Sequence, residues 1–484
     1  MSGNGLVDKT NLRGNKLHKS LWNVTDIILL RRNLYLLEQN PTMVNCMYIT
    51  QRTRQLLSLV GSCLIFLLAS CSTTTPPVTS KTTPTASIMP PGHRMVTPTV
   101  APTTMAIPPT QTNCPLEGAR AMITAPLALG QHQNIVYTLN QGTYDLPTHG
   151  KLIRYDTQTG RKTELLTVDH AHIYEAQVSA DGQWVLFVTT TGSTNRQTRL
   201  QLLRMDGQGL QTLLCAPGYS IQQIQWSPDQ HYLVYYNIVN DRGVVYLLNM
   251  LTGKLQTELT TPPQVGLLLR TWFDATHIYI SDRGTDTLYT YLYLLDIKKG
   301  AQQHLSNLLT VLFQEYGDFD SSDDGSSLFT TDGNCRDGSC NGPSHIAIQS
   351  IAGGPKHTIY HSDAYDAVAV RVIDHNRLLF IIGNSPLVTD TSHNGLWEMN
   401  LDGSNLTHLI KTSIIQYSFV NYSSQVPWSN ISRDTSMYVL QVNEFKSLIE
   451  THSLLVGSVL GTKPKVFASI ADGSQLGVVG WTIM

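Results

Sequence analysis

Residues 221–261 read IQQIQWSPDQHYLVYYNIVNDRGVVYLLNMLTGKLQTELTT. The stretch divides into four short strands, 221–227, 232–239, 244–249 and 255–261. A turn at 228–230, a polar loop at 240–243 and a turn at 252–253 separate them. β-Branched and aromatic residues fill the strands, and Pro, Asp, Asn and Gly bound them.

The unit recurs through the chain, and two markers carry the recurrence. The first is a turn after the opening strand, of the form Ser-x-Asp or a relative. It stands at Ser179-Ala180-Asp181-Gly182, Ser227-Pro228-Asp229, Phe273-Asp274, Ser322-Asp323-Asp324-Gly325, Ile373-Asp374 and Ser432-Arg433-Asp434. The second is a glycine turn after the third strand, at Gly160, Gly207, Gly253, Gly300, Gly354, Gly403 and Gly461. A spacing of roughly 45–60 residues is that of a four-stranded propeller blade. Such a blade buries its faces only against neighbouring blades, so the ring has to close. The fold class is therefore all-β, a single propeller of about seven four-stranded blades. The last strand, 477–483 (GVVGWTI), resembles an opening strand, with Trp481 in the place of Trp226. It is expected to join the first blade and so remove the open edges. Residues 119–129 compete for that slot, which leaves six or eight blades as alternatives.

The units IQWSPDQHYLVYY and AQVSADGQWVLFV, with LLRMDGQGLQTLL after the latter, resemble the TolB-like, WD-repeat-like propeller repeat. The resemblance covers roughly residues 120–484 and speaks for fold more than for function. The same family supplies the non-catalytic propellers of prolyl-oligopeptidase-type enzymes. No Gly-x-Ser-x-Gly elbow follows the repeats here. Members lacking the hydrolase domain mostly bind proteins or ligands, and that is what the resemblance implies.

Ahead of the repeats lie three segments of different character. Residues 1–46 read as a disordered or non-native leader, with translation starting at Met43 or Met47 as one explanation and an amphipathic helix over 26–39 as another. Residues 47–70 (MYITQRTRQLLSLVGSCLIFLLAS) combine Arg52 and Arg54 with an apolar run from Leu56 to Ala69. That run suits a signal peptide and is short for a span of about 20 residues. Leu68-Ala69-Ser70-Cys71 resembles a bacterial lipobox, which implies lipidation of Cys71 and a membrane partner through the lipid. An uncleaved anchor is the rival, and either places the remainder outside the cytoplasm. Residues 71–113 begin with Cys71 and continue as a Thr/Pro-rich tether with no apolar period. Residues 114–484 form the propeller.

Charged residues make up 14% of the chain and the net charge is −2, so nothing marks a nucleic-acid-binding surface. Of 7 Cys, Cys335 and Cys340 flank a short turn-rich loop and are expected to form a local disulfide. Cys114 and Cys215 are a second possible pair, which spacing leaves open.

In a propeller the Ser-x-Asp and Gly turns share one face. The second-to-third loops and the blade connections share the other, and here those are long and varied. Function sits on such loops. Candidate ligand-binding residues on them are Asp169, His170, His172, Glu175, Tyr219, Glu315, Tyr316, His361, Asp363, Tyr365 and Asp366. His and carboxylates could hold a metal or move protons. The expectation is instead a polar rim with no metal, no cofactor and no catalytic residue. The acidic run Asp318–Asp324 hints at a Ca²⁺ loop but lacks the spacing of one and overlaps a blade turn. The trptophans at the ends of opening strands fit packing between blades. The reading is a monomeric, non-catalytic envelope lipoprotein that binds a protein, glycan or other extracytoplasmic ligand. The alternatives are a lyase or glycoside hydrolase at the channel mouth and a scaffold subunit of an envelope complex.

Overall fold

The computed structural model describes residue 110 and residues 113–484, with short internal segments excepted: 116, 124–125, 129, 144, 193–195, 284–288, 301–302, 316–317, 332–342, 353, 384–389, 412–416, 420–425, 447–448, 462 and 472. The leader, the signal-like run, Cys71 and the tether to residue 109 lie outside the described residues. So do Cys335, Cys340 and Tyr316, together with the side chain of Glu315.

The described chain forms seven four-stranded antiparallel sheets. Blade 1 holds β1 (Gln133–Gly142), β2 (Pro147–Asp156) and β3 (Lys162–Asp169). Blade 2 holds β4 (Ala171–Val178), β5 (Trp184–Thr191), β6 (Gln197–Arg204) and β7 (Gln211–Pro217). Blade 3 holds β8 (Gln222–Trp226), β9 (Tyr232–Val239), β10 (Arg242–Asn249) and β11 (Leu255–Pro263). Blade 4 follows with β12 (Gly266–Trp272), β13 (His277–Arg283), β14 (Tyr289–Asp296) and β15 (Leu309–Glu315), and blade 5 with β16 (Phe319–Ser321), β17 (Ser327–Thr331), β18 (Ser344–Ser350) and β19 (His357–Ser362). Blade 6 holds β20 (Asp366–Val372), β21 (Arg377–Gly383), β22 (Gly395–Asn400) and β23 (Thr407–Lys411). Blade 7 holds β24 (Tyr417–Ser418), β25 (Met437–Lys446), β26 (Ile449–Ser458) and β27 (Lys465–Ile470). The final strand, β28 (Gln475–Ile483), returns to pair antiparallel with β1, with Trp481 opposite Ile135. It supplies blade 1 with its opening strand, which decides the count at seven.

Residues 119–129 do not take that slot. The described residues among them run as a strap across blades 2 and 3, where Ala119 N donates to Leu213 O and Ala121 N to Met250 O, each at 2.8 Å. A disulfide between Cys114 and Cys215 ties the start of the strap to the outer strand of blade 2.

Both turn markers have a physical basis. In blade 2, Ser179 Oγ donates to Asp181 Oδ1 (2.5 Å) and accepts from Trp184 N (3.0 Å). The same closure recurs at Ser227, Ser322 and Ser432. The seven glycines of the second marker all lie at positive φ, between 72° and 118°. Any β-carbon is disfavoured there, which is why glycine recurs.

The apolar core consists of seams between blades. Trp184, Leu186 and Leu202 of blade 2 meet Ile224, Trp226 and Leu233 of blade 3. Comparable clusters fill the six other junctions. Each sheet is thus apolar on both faces, and only a closed ring covers them all. Trp226, Trp272 and Trp481 are buried in these seams.

Candidate functional site

The opening strands of neighbouring blades are not joined in one sheet, although Trp481 N donates to Trp428 O (2.8 Å) across the seam of blades 7 and 1. Their buried N–H groups still need acceptors. Polar side chains two and four residues before the Ser-x-Asp turn provide them. Glu175 accepts from Gln223 N and Ile224 N, both at 2.7 Å. Gln177 accepts from Trp226 N (2.9 Å) and donates to Trp226 O. Gln223 then accepts from Leu269 N (2.6 Å) and donates to Leu267 O (3.1 Å). On the far side of the ring, Asp318 accepts from Val370 N and pairs with Arg371, and Asp320 accepts from Val372 N (2.8 Å).

These rungs reassign several candidates. Glu175 is a buried rung and not a rim group, and burial pushes its carboxyl up to about 7. Asp318 and Asp320 are rungs as well, while Asp324 closes its own turn through Ser322 and Ser326. Three of the run's four carboxylates therefore have separate structural partners. Burial raises the Asp320 carboxyl to about 6. The pattern was visible in the sequence as Glu175-x-Gln177-x-Ser179, Gln223-x-Gln225-x-Ser227 and Asp318-x-Asp320-x-Ser322.

His172 is buried with Nε2 2.9 Å from Gln141 O, and burial holds its pKa below the ordinary imidazole range. Asp366 is fully buried at the head of β20. Neither side chain lies on an open rim.

The remaining candidates occupy the loop-rich face in two sectors. In the sector of blades 1 and 2, Asp169 pairs with His149 (2.9 Å) and His170 sits exposed at φ 54°. Arg196 bridges the blades by binding Asp145 (3.0 Å), and its guanidinium lies 4.1 Å above the Tyr219 ring. Tyr219 in turn lies 6.0 Å from the half-exposed Tyr174. In the sector of blades 5 and 6, His361 pairs with Asp363 (2.9 Å) and stacks on His345 (4.5 Å). Tyr365 O–H donates to Asp390 (2.7 Å), and its ring stacks on His393 (4.3 Å). That hydrogen bond helps hold the exposed Asp390 carboxyl at about 2. Trp397 continues the stack, with His408 at 4.0 Å and its indole N–H on His393 O (2.8 Å).

Asp390, His393 and Trp397 were not singled out in the sequence. They lie in and after the second-to-third loop of blade 6, and only the folded blade brings them to Tyr365. Asp169 and His172 belong to the junction of blades 1 and 2, while Asp366 opens blade 6. Among the described residues, no three His, Cys, Asp or Glu side chains are placed to hold a metal ion. No described helix is long and apolar enough to cross a membrane.

In fold, the chain is similar to TolB. The structure of TolB from Acinetobacter baumannii aligns at 13% identity and a TM-score of 0.38, over 56% of this chain and 62% of that one. The propeller domain of the trilobed protease of Pyrococcus furiosus aligns at 11% identity and a TM-score of 0.46, over 72% and 96%. A periplasmic gluconolactonase of Pseudomonas aeruginosa aligns at 14% identity and 0.45, over 71% and 99%. No family model matches the sequence, and no curated protein sequence matches it significantly. The seven-bladed ring expected from the TolB-like repeats rests on the chain's own sheets.

Proposed function

We propose that this protein is an extracytoplasmic propeller, held to a membrane by lipid on Cys71, which binds a protein or glycan ligand through its loop-rich face without chemistry of its own. The observation that carries this reading is the blade 5–6 sector. There, exposed Asp390 and His393 hold the half-buried Tyr365 by a hydrogen bond and a ring stack, and the exposed pair His361–Asp363 precedes it in the chain. Polar groups held in place beside aromatic rings suit recognition of a ligand with mixed polar and apolar surface. The Cys114–Cys215 disulfide supports export, because such bonds persist in oxidising compartments.

A photoreactive phenylalanine derivative placed at His393 or at Leu251 in living cells tests the binding face. Leu251 is exposed on the turn-rich face. Adducts are expected at position 393 and not at 251; equal crosslinking, or crosslinking at 251 alone, rejects the assignment. Alkynyl-palmitate labelling that persists in Cys71→Ala rejects the anchor separately.

A further inference from the structure

The outer turns of blades 6, 7 and 1 stand side by side on the turn-rich face and share an unusual composition. In blade 7 the turn between β26 and β27 and the residues entering β27 read Leu460-Gly461-Thr462-Lys463-Pro464-Lys465-Val466. Leu460 is 84% exposed, the most of any large apolar side chain among the described residues, and Val466 is 51% exposed. Lys463 and Lys465 are exposed between them. The turn is built rather than loose. Ser458 accepts from Leu460 N at its hydroxyl and from Gly461 N at its carbonyl, each at 3.1 Å, and Gly461 takes φ 78°. A leucine held in water this way forgoes the free energy of burial.

The neighbouring turns extend the patch. The β2–β3 turn of blade 1 carries exposed Arg161 and Lys162, and a β-carbon on its Gly160 would lie 3.9 Å from Lys465 Nζ. In blade 6, Leu406 is exposed just before β23, and Leu409 of that strand would lie 3.7 Å from a β-carbon on Gly461. The carboxylates nearby are engaged elsewhere. Asp156 pairs with His132, Glu164 with Lys151, and Asp402 accepts from Ser404. Among the described residues, Arg161, Lys162, Lys463 and Lys465 have no ion-pair partner.

This combination selects the kind of partner. Lysine is depleted in the cores of protein interfaces, and side chains projecting from separate turns do not make a continuous one. A soluble polyanion would use the four cations and leave Leu460 in water. An anionic bilayer uses both, because its surface attracts Lys and Arg and its headgroup–acyl boundary takes up apolar side chains. We propose that the turn-rich rim of blades 6, 7 and 1 docks on an anionic lipid bilayer, with Leu460 entering the headgroup–acyl boundary and Arg161, Lys162, Lys463 and Lys465 meeting lipid phosphates. Docking on this rim turns the loop-rich face away from the bilayer. The inference goes beyond the ligand-binding reading and takes from it only the closeness of a membrane.

The full-length chain reconstituted with vesicles tests the docking. An environment-sensitive dansyl amino acid is encoded in place of Leu460 or, on the loop-rich face, in place of the exposed Leu146. With vesicles containing phosphatidylglycerol, emission from position 460 should shift to the blue, and added salt should reverse the shift. With phosphatidylcholine alone it should stay at its aqueous position, as position 146 should with both. Lys463→Ala and Lys465→Ala should each lower the ratio of docked to free propeller about fivefold. Both side chains are exposed, so neither change removes a packed group. No blue shift at 460, an equal shift at 146, or lysine variants that dock like wild type overturns the docking. So does a response to soluble polyglutamate with none to vesicles, which would mark an acidic protein as the partner. A chain that floats with neither vesicle loses the membrane attachment and the docking together, whereas floating without the blue shift rejects the docking alone.

Discussion

Arg433 shows how much one side chain can hold. It sits in the Ser432–Asp434 turn of blade 7 and donates from Nε to Trp481 O (2.9 Å), from one terminal nitrogen to Ser179 O (2.7 Å) and from the other to Ala180 O. Its guanidinium also lies 4.9 Å from the Trp428 ring, whose indole N–H donates to Val178 O. Burial lowers its pKa to about 10, which leaves it charged at neutral pH. Arg433→Ala would strand three carbonyls and is expected to destabilise the fold by about 3 kcal/mol. Arg433→Lys keeps the charge but loses the fork and should fall between the two. Chemical denaturation of the three proteins orders them; an Arg433→Ala midpoint equal to wild type refutes the clasp. The turn containing Arg433 was legible from its Ser and Asp. The clasp was not, because its acceptors lie 48 to 254 residues away in sequence. Glu175 was expected on the rim and is buried instead for a related reason. A carboxylate in a blade connection looks the same in sequence whether it meets water or the next strand's N–H groups.

The strap is the element whose place the sequence could not decide. Residues 119–129 had enough apolar character to pass for a blade strand. Their N–H groups instead meet carbonyls of blades 2 and 3, and Met122 N and Leu127 N reach the side chains of Gln211 and Gln183. Ala121 joins the seam of Trp184 and Trp226. Gly118 and Gly253 touch where the strap crosses a blade turn, and a β-carbon on Gly253 would lie 2.6 Å from Gly118 O. The disulfide secures this element, a pairing that spacing left open. Cys114 and Cys215 are 101 residues apart, so reduction frees a long loop in the unfolded chain. Chain entropy for a loop near 100 residues corresponds to about 4–5 kcal/mol as an upper figure. Reduction is therefore expected to lower the melting temperature and to open residues 114–130 to protease before the blades. Cleavage starting within the blades would instead mean that the hydrogen bonds alone hold the strap.

At the scale of the whole molecule, stability depends on closing a ring whose parts are each incomplete. The repeat spacing and the seven glycine turns made the blade number readable, because each mark is local. The closing strand was readable because Trp481 repeats the pattern of Trp226. β28 serves two seams at once. Leu476, Val478 and Trp481 pack into the junction of blades 7 and 1, and Val479 into that of blades 1 and 2. It also pairs with β1 from Gln133 to Asn140, while Met484 exchanges backbone bonds with His132. At about 1.5–3 kcal/mol per buried side chain, these four contribute roughly 8 kcal/mol, comparable to the net stability of a typical domain. A chain ending at Ser474 is therefore expected to lose cooperative melting and to expose its apolar seams to a hydrophobic dye. Calorimetry and dye fluorescence against the full chain check this. A cooperative transition in the shortened protein would mean that another segment fills the edge of β1. The strap at 119–129 would be the first to examine, since it lies just upstream of β1 and is already held against blades 2 and 3.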